Sequence, residues 1–119
     1  RYGVRWDVIR ETLDKWNEIA TIMVSPTVSI LNINKLQSII DLGHEYWFMP
    51  LNTPFYLRHT QIPLVSRQKW LTTDENVNKI ILMPYEEVDK SYFVKAMNIM
   101  DRKMHSFTIA NEEIWTLMN

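Results

Sequence analysis

Residues 46–73 read YWFMPLNTPFYLRHTQIPLVSRQKWLTT, 28 positions without one acid. They hold Arg58, Arg67, Lys69 and His59, six of the fourteen aromatics and three of the five prolines. The flanks are different. Residues 1–45 carry five bases and six acids, and residues 74–119 carry five bases and eight acids. A chain of net charge −1 is therefore a +3 centre between arms of −1 and −3. Such segregation marks either a surface for an anionic partner or an internal spine with no room for carboxylates. In and just before the window, 45–49 and 55–65 are rich in aromatic and branched residues and predict strands, with Leu51-Asn52-Thr53-Pro54 as the turn between them. Pro63 predicts an edge or bulge at the end of the second strand.

Outward from the window, residues 7–23 predict an amphipathic helix with Ile9, Leu13, Trp16, Ala20 and Met23 at spacings of three and four. Ser25-Pro26 ends it, and 27–31 (TVSIL) is a short strand candidate. Asn32 then caps a helix carrying Ile33, Leu36, Ile39 and Ile40, which stops at Gly43. Thr72 and Glu75 have the spacing of a capping box, and 79–83 (KIILM) is the apolar end of that helix or a buried strand. Pro84, Glu86 and Glu87 suit a helix start, followed by a stripe of Val88, Tyr92, Ala96, Ile99 and Met100 reaching Met104. Met97, Met100 and Met104 make that helix apolar over more than half its circumference, as in a buried helix or one packing a second partner. Segments 107–110 and 114–118 form a last pair, either a hairpin at Asn111-Glu112 or a terminal helix capped by Asn111.

This order predicts a small single α+β domain spanning 1–119. A ferredoxin-like antiparallel sheet with helices on one face, preceded by the N-terminal amphipathic helix, is its simplest arrangement. At 119 residues an ordinary core suffices. The absence of cysteine removes disulfides, thiolate zinc sites and cysteine nucleophiles, and suits an intracellular, reducing compartment. No apolar run is long enough to span a bilayer. A start at Arg1 rather than Met leads to the expectation of a processed subunit or a fragment.

Two constellations bear on chemistry. If the window is exposed, Tyr56 and Trp70 offer stacking faces while Arg58, His59, Arg67 and Lys69 offer positive charge, the ingredients of single-stranded nucleic-acid binding. The alternative is packing, with Trp47, Phe48, Phe55 and Trp70 in the core. The second constellation is His59-Thr60-Gln61 with Tyr92-x-x-Lys95. On a strand His59 and Gln61 point the same way and could share a divalent metal, with Glu45 as a third ligand. Tyr92 and Lys95 share a helix face, a nucleophile beside a cation. This spacing resembles that of rolling-circle replication endonucleases, which implies Mg- or Mn-dependent strand nicking. The sequence departs from that pattern at Thr60, where a large apolar residue is usual, and at Ile62-Pro63, where a glycine usually follows.

Gly-rich phosphate loops and Gly-x-Ser-x-Gly elbows are absent, and the three histidines lack metal-ligand spacing. The leading expectation is a non-enzymatic binding or assembly module, without cofactor, acting as a subunit of a larger complex on a protein or anionic partner. Nucleic-acid binding, with nicking as its sharpest form, is the alternative.

Overall fold

The computed structural model describes residues 5–103 and 111–118, the side chains of 101–103 excepted. Among them are six helices and two short pairs of parallel strands, a mixed α+β arrangement. Helix α1 (Trp6–Asn17) leads into β1 (Met23–Val24) and β2 (Thr27–Val28). The chain crosses through a 3₁₀ turn, Ile33–Lys35, and α2 (Leu36–Ile40), and returns as β3 (Glu45–Tyr46) and β4 (Met49–Pro50). Met23 lies opposite Glu45, Val24 opposite Tyr46, Thr27 opposite Met49 and Val28 opposite Pro50, one constant register along both pairs. The two pairs are thus one parallel ribbon, continued by Trp47 N–H to Val24 O (2.9 Å), Met49 N–H to Pro26 O (3.2 Å) and Leu51 N–H to Val28 O (2.9 Å).

The ferredoxin-like antiparallel sheet expected from the element order does not form, and its absence has a physical cause. A connection containing a helix carries the chain back along the first strand, so the second strand runs parallel to it. Gly43 makes the return possible at φ +78°, the left-handed region that glycine enters without a Cβ penalty.

The predicted strand over 55–65 is also corrected. It folds into 3₁₀ turns, Phe55–Leu57 and His59–Gln61, followed by α3 (Leu64–Arg67) and another 3₁₀ turn at Gln68–Trp70. The turns satisfy their own backbone groups locally, Arg58 N–H on Phe55 O and Ile62 N–H on His59 O. A strand there would have needed a sheet edge, and Pro63 blocks the donor.

Helix α4 (Glu75–Ile81) absorbs the KIILM run except its end. Its cap is Asp74, which accepts from the N–H groups of Asn76 and Val77. Thr72, the expected cap, instead bonds Asn78. Helix α5 (Lys90–Lys103) begins six residues after Pro84, and its buried face is Phe93 and Met97 rather than the stripe through Tyr92 and Ile99, which are exposed. The expected extension to Met104 and the segment 107–110 lie outside the described residues. Helix α6 (Glu112–Met118) replaces the hairpin option, with Asn111 Oδ1 accepting from Ile114 N–H at 3.5 Å.

Val28, Ile30, Ile33, Leu36 and Phe48 from the crossover unit pack with Ile62, Val77, Ile81, Phe93, Met97, Ile114 and Met118 to form the core. Helix α1 contributes none of these. No helix among the described residues is long and apolar enough to cross a membrane.

Candidate functional site

The 55–67 segment brings three polar side chains into the interior: His59, Gln61 and Arg67 are all buried. Each is held by backbone carbonyls. Gln61 Nε2 donates to Tyr56 O (2.6 Å) and Arg58 O (3.0 Å). Arg67 Nε donates to Ile62 O (2.7 Å), and its Nη1 donates to Ile81 O and Met83 O (2.6 Å each). His59 Nε2 lies 2.7 Å from Ile80 O. A carbonyl can only accept, so that nitrogen carries the ring proton. Burial pulls the His59 pKa below its ordinary value, partly countered by the Ile80 carbonyl. Burial likewise lowers that of Arg67. These groups tie the window to the end of α4.

Of the window's other bases, Arg58 pairs with an acid from elsewhere in the chain, and Lys69 shares a groove with two. Arg58 Nη1 sits 3.4 Å from both carboxylate oxygens of Glu86, and Thr60 Oγ1 donates to Glu86 Oε2 at 2.7 Å. The Thr60 hydrogen bond, then Arg58, holds the Glu86 carboxyl below its usual pKa. Asn52, Arg58, His59, Thr60, Met83 and Glu86 line a cleft of about 130 Å³, small against the 300–1,000 Å³ of a typical ligand pocket. Lys69 and Trp70 line an open groove of about 430 Å³ together with Glu112 and Glu113, and Trp70 Nε1 donates to Glu113 Oε1 at 2.8 Å. The stretch that is acid-free in sequence is not acid-free in space. Arg67, expected at a binding surface, is interior instead, where its fork satisfies three backbone carbonyls.

The proposed nicking residues are dispersed among different roles. His59 and Gln61 sit in one 3₁₀ turn, not on a strand, with Nε2 of each engaged by backbone. Glu45 is exposed on β3. Tyr92 and Lys95 are exposed on α5, where the Tyr92 ring meets the edge of Phe55 at 5.2 Å, and Phe55 in turn meets Tyr56 at 5.6 Å. Among the described residues no three His, Asp or Glu side chains are grouped as a metal ion would require.

The feature that sequence reasoning missed lies on the ribbon. Side chains alternate faces along a strand. Val28 and Phe48 point to the core, with Tyr46 packed against it, while Met23, Ser25 and Thr27 line up with Glu45, Trp47 and Met49 on the outer face. On that face Trp47 is 63%, Met23 61% and Met49 51% exposed. Trp47 Nε1 reaches Met49 Sδ at 3.0 Å. The chain leading in adds Ile19 (76%) and Trp16 (57%), and Trp6 (45%) lies at the start of α1. The helix meets the ribbon's start where His44 Nε2 lies 3.8 Å from Asp14 Oδ1. Of the four aromatics expected in the core, Phe48 is buried and Trp70 packs against the core, but Trp47 and Phe55 are exposed. The run Glu45-Tyr-Trp-Phe-Met-Pro50 has no polar–apolar alternation that could have shown its two faces. No family model matches this chain, and neither do any curated protein or solved structure.

Proposed function

We propose that this chain is a non-catalytic docking module that receives a protein partner on the outer face of its parallel ribbon and the adjoining α1. The observation that carries this reading is the run of large exposed apolar side chains Trp16, Ile19, Met23, Trp47 and Met49. Parallel strands ordinarily have both faces covered, because their crossover helices and neighbours bury them. Here α2 and the core cover one face, and the other is left to solvent with a tryptophan and two methionines on it. Tryptophan is enriched at binding hot spots, and methionine adapts to irregular partner surfaces. The acids beside Arg58 and Lys69 favour a protein over a polyanion as the partner.

The test is co-purification of the tagged full chain from its native cells, beside a Met23→Glu/Trp47→Glu variant. Exposed positions move stability by no more than ~0.5 kcal/mol as a rule, so the variant should melt with the wild type. A component stoichiometric with the wild-type chain and lost from the variant is the expected result. An unchanged set of companions, or none with either protein from a chain that is itself monomeric, rules the reading out.

A further inference from the structure

The stripe on α1 is symmetric about its own midpoint. Trp6, Ile9, Leu13 and Trp16 are spaced three, four and three apart, so the pattern reads the same in both directions about position 11. At ~100° per residue the four fall within roughly 80° of one another, and Glu11 falls on the opposite side. Trp6 and Trp16 are exposed, Ile9 and Leu13 are half-buried, and none of the four belongs to the core or to the half-buried shell packed against it. A palindromic apolar stripe is self-complementary under a two-fold axis. From this we infer that the partner seated on α1 is a second copy of this chain, with the two α1 helices packed antiparallel about an axis at residue 11. The inference deepens the docking reading above by naming its partner, and it rests on that reading.

Antiparallel packing places Trp6 of one copy against Trp16 of the other, and Ile9 against Leu13. Charge favours the same direction. Before residue 11 the helix region holds Arg5, Asp7 and Arg10, a net +1, and after it Asp14, Lys15 and Glu18, a net −1. Antiparallel pairing sets positive half on negative half and turns Arg10 towards the partner copy's Asp14, whereas parallel pairing sets like on like. Opposed helix dipoles add to the preference. Each fully covered tryptophan buries ~150–250 Å². With about half of that still exposed, the four tryptophans across the axis supply roughly 300–500 Å² of the ~1,000 Å² that a stable interface needs. The exposed parts of Ile9 and Leu13, and the exposed Ile19 and Met23 that follow in the chain, are the apolar side chains from which the remainder would come.

Sedimentation equilibrium of the full chain across roughly 1–100 µM tests the stoichiometry. A dimer is expected, weakened at least ~30-fold by Trp16→Glu, because hot-spot tryptophans carry that much and each substitution acts twice. At concentrations where both proteins are monomeric that variant should melt with the wild type, since α1 has no buried residue, whereas at dimerising concentrations only the wild type gains stability with concentration. The direction is read by oxidative cross-linking, which the absence of native cysteine makes clean. Mixed Ile9→Cys and Leu13→Cys chains should form the 9–13 disulfide, with neither chain cross-linking to itself. Preferential 9–9 and 13–13 bridges overturn the antiparallel arrangement. A monomer at every concentration overturns the second copy as partner. If a foreign component still co-purifies and is lost on Met23→Glu/Trp47→Glu, the docking reading survives that failure; if none does, both fall.

Discussion

Replacing Arg67 with methionine removes a buried cation that holds three chain segments together, and its cost can be worked from the bonds. The guanidinium satisfies the carbonyls of Ile62, Ile81 and Met83 at 2.6–2.7 Å, joining the start of α3 to the end of α4 and the loop beyond. Each buried carbonyl left without a donor costs about 1–3 kcal/mol, so the gross loss for the three is about 3–9 kcal/mol. Against this, no acidic side chain among the described residues pairs with Arg67, and burying a cation costs several kcal/mol that methionine relieves in part. The expected net destabilisation is about 2–4 kcal/mol, a large part of the 5–15 kcal/mol that holds a domain. For a chain of this size that lowers Tm by roughly 10 °C.

Urea unfolding followed by far-ultraviolet circular dichroism reads this as a shift in midpoint at constant slope. Arg67→Lys is the informative companion. It keeps the charge, but its single nitrogen cannot bond three carbonyls in the planes a fork reaches, so it should lose nearly as much as methionine. If Arg67→Met unfolds within ~0.5 kcal/mol of wild type, the carbonyls find other donors and the reasoning fails. If Arg67→Lys restores full stability, the charge matters and the fork does not.

Two further perturbations separate the pH windows of stability. Because burial holds the His59 pKa below 6.5, the unfolded chain takes up a proton that the folded chain refuses, so stability should fall as pH drops below about 6.5; His59→Gln should flatten that slope in urea midpoints taken from pH 7 to 5. Asp74 is held below its usual pKa first by the Tyr46 hydroxyl and then by the Asn76 and Val77 amides, so its contribution is present above about pH 4 and lost as pH falls through its lowered pKa. Asp74→Ala should therefore lower stability by about 1 kcal/mol at neutral pH through the lost cap, and leave a shallower acid limb below pH 4 with the slope near 6.5 unchanged.

The parts of the fold legible in the sequence are those set by local chemistry. The helical segment after Asn32, a 3₁₀ turn and then α2, and its stop at Gly43 follow from an apolar spacing and a residue free to take positive φ. Asn32 does not cap it: its side chain accepts from Ser29 N–H and donates to Thr27 O. The helix over Glu75–Ile81 is signalled by the capping-box spacing of Thr72 and Glu75, though the cap itself is Asp74, two residues later than expected. What was not legible depends on partners distant in sequence. Residues 55–65 have strand composition, yet no neighbouring strand is offered to them, and Gln61 closes the chain on itself by bonding Tyr56 O and Arg58 O. In α5 several apolar residues compete, and Phe93 and Met97 win the core over Tyr92 and Ile99 because Ile114, Met118 and Trp115 arrive on that side. The candidate site was the least visible part. Trp47 and Phe48 are chemically alike, and only the ribbon's pleat sends one outward and the other inward.

The charge segregation along the chain takes on a different meaning in three dimensions. The acid-free centre is met by the acidic C-terminal arm: Glu86 reaches Arg58 and Thr60, Asp74 accepts from the Tyr46 hydroxyl, and Glu113 accepts from Trp70. Three acids of the −3 arm thus bond to the +3 segment, one as an ion pair with Arg58 and two through the neutral donors Tyr46 and Trp70, so part of the charge pattern is used within the fold. Helix α1 stands apart from this arrangement. Its Arg5–Asp7 and Glu11–Lys15 pairs close on the helix itself, and Asp14 near His44 is the one ion-pair contact among the described residues that links it to the rest. Exposed ion pairs of that kind contribute at most ~1 kcal/mol each, too little to hold a helix with no buried residue. A 12-residue helix is also marginal in water by itself. The stability of α1 must therefore come from packing its tryptophan-bounded stripe, and the described body of the chain covers that stripe only in part. The helix with the weakest claim on its own fold is thus the one with the strongest claim on a partner.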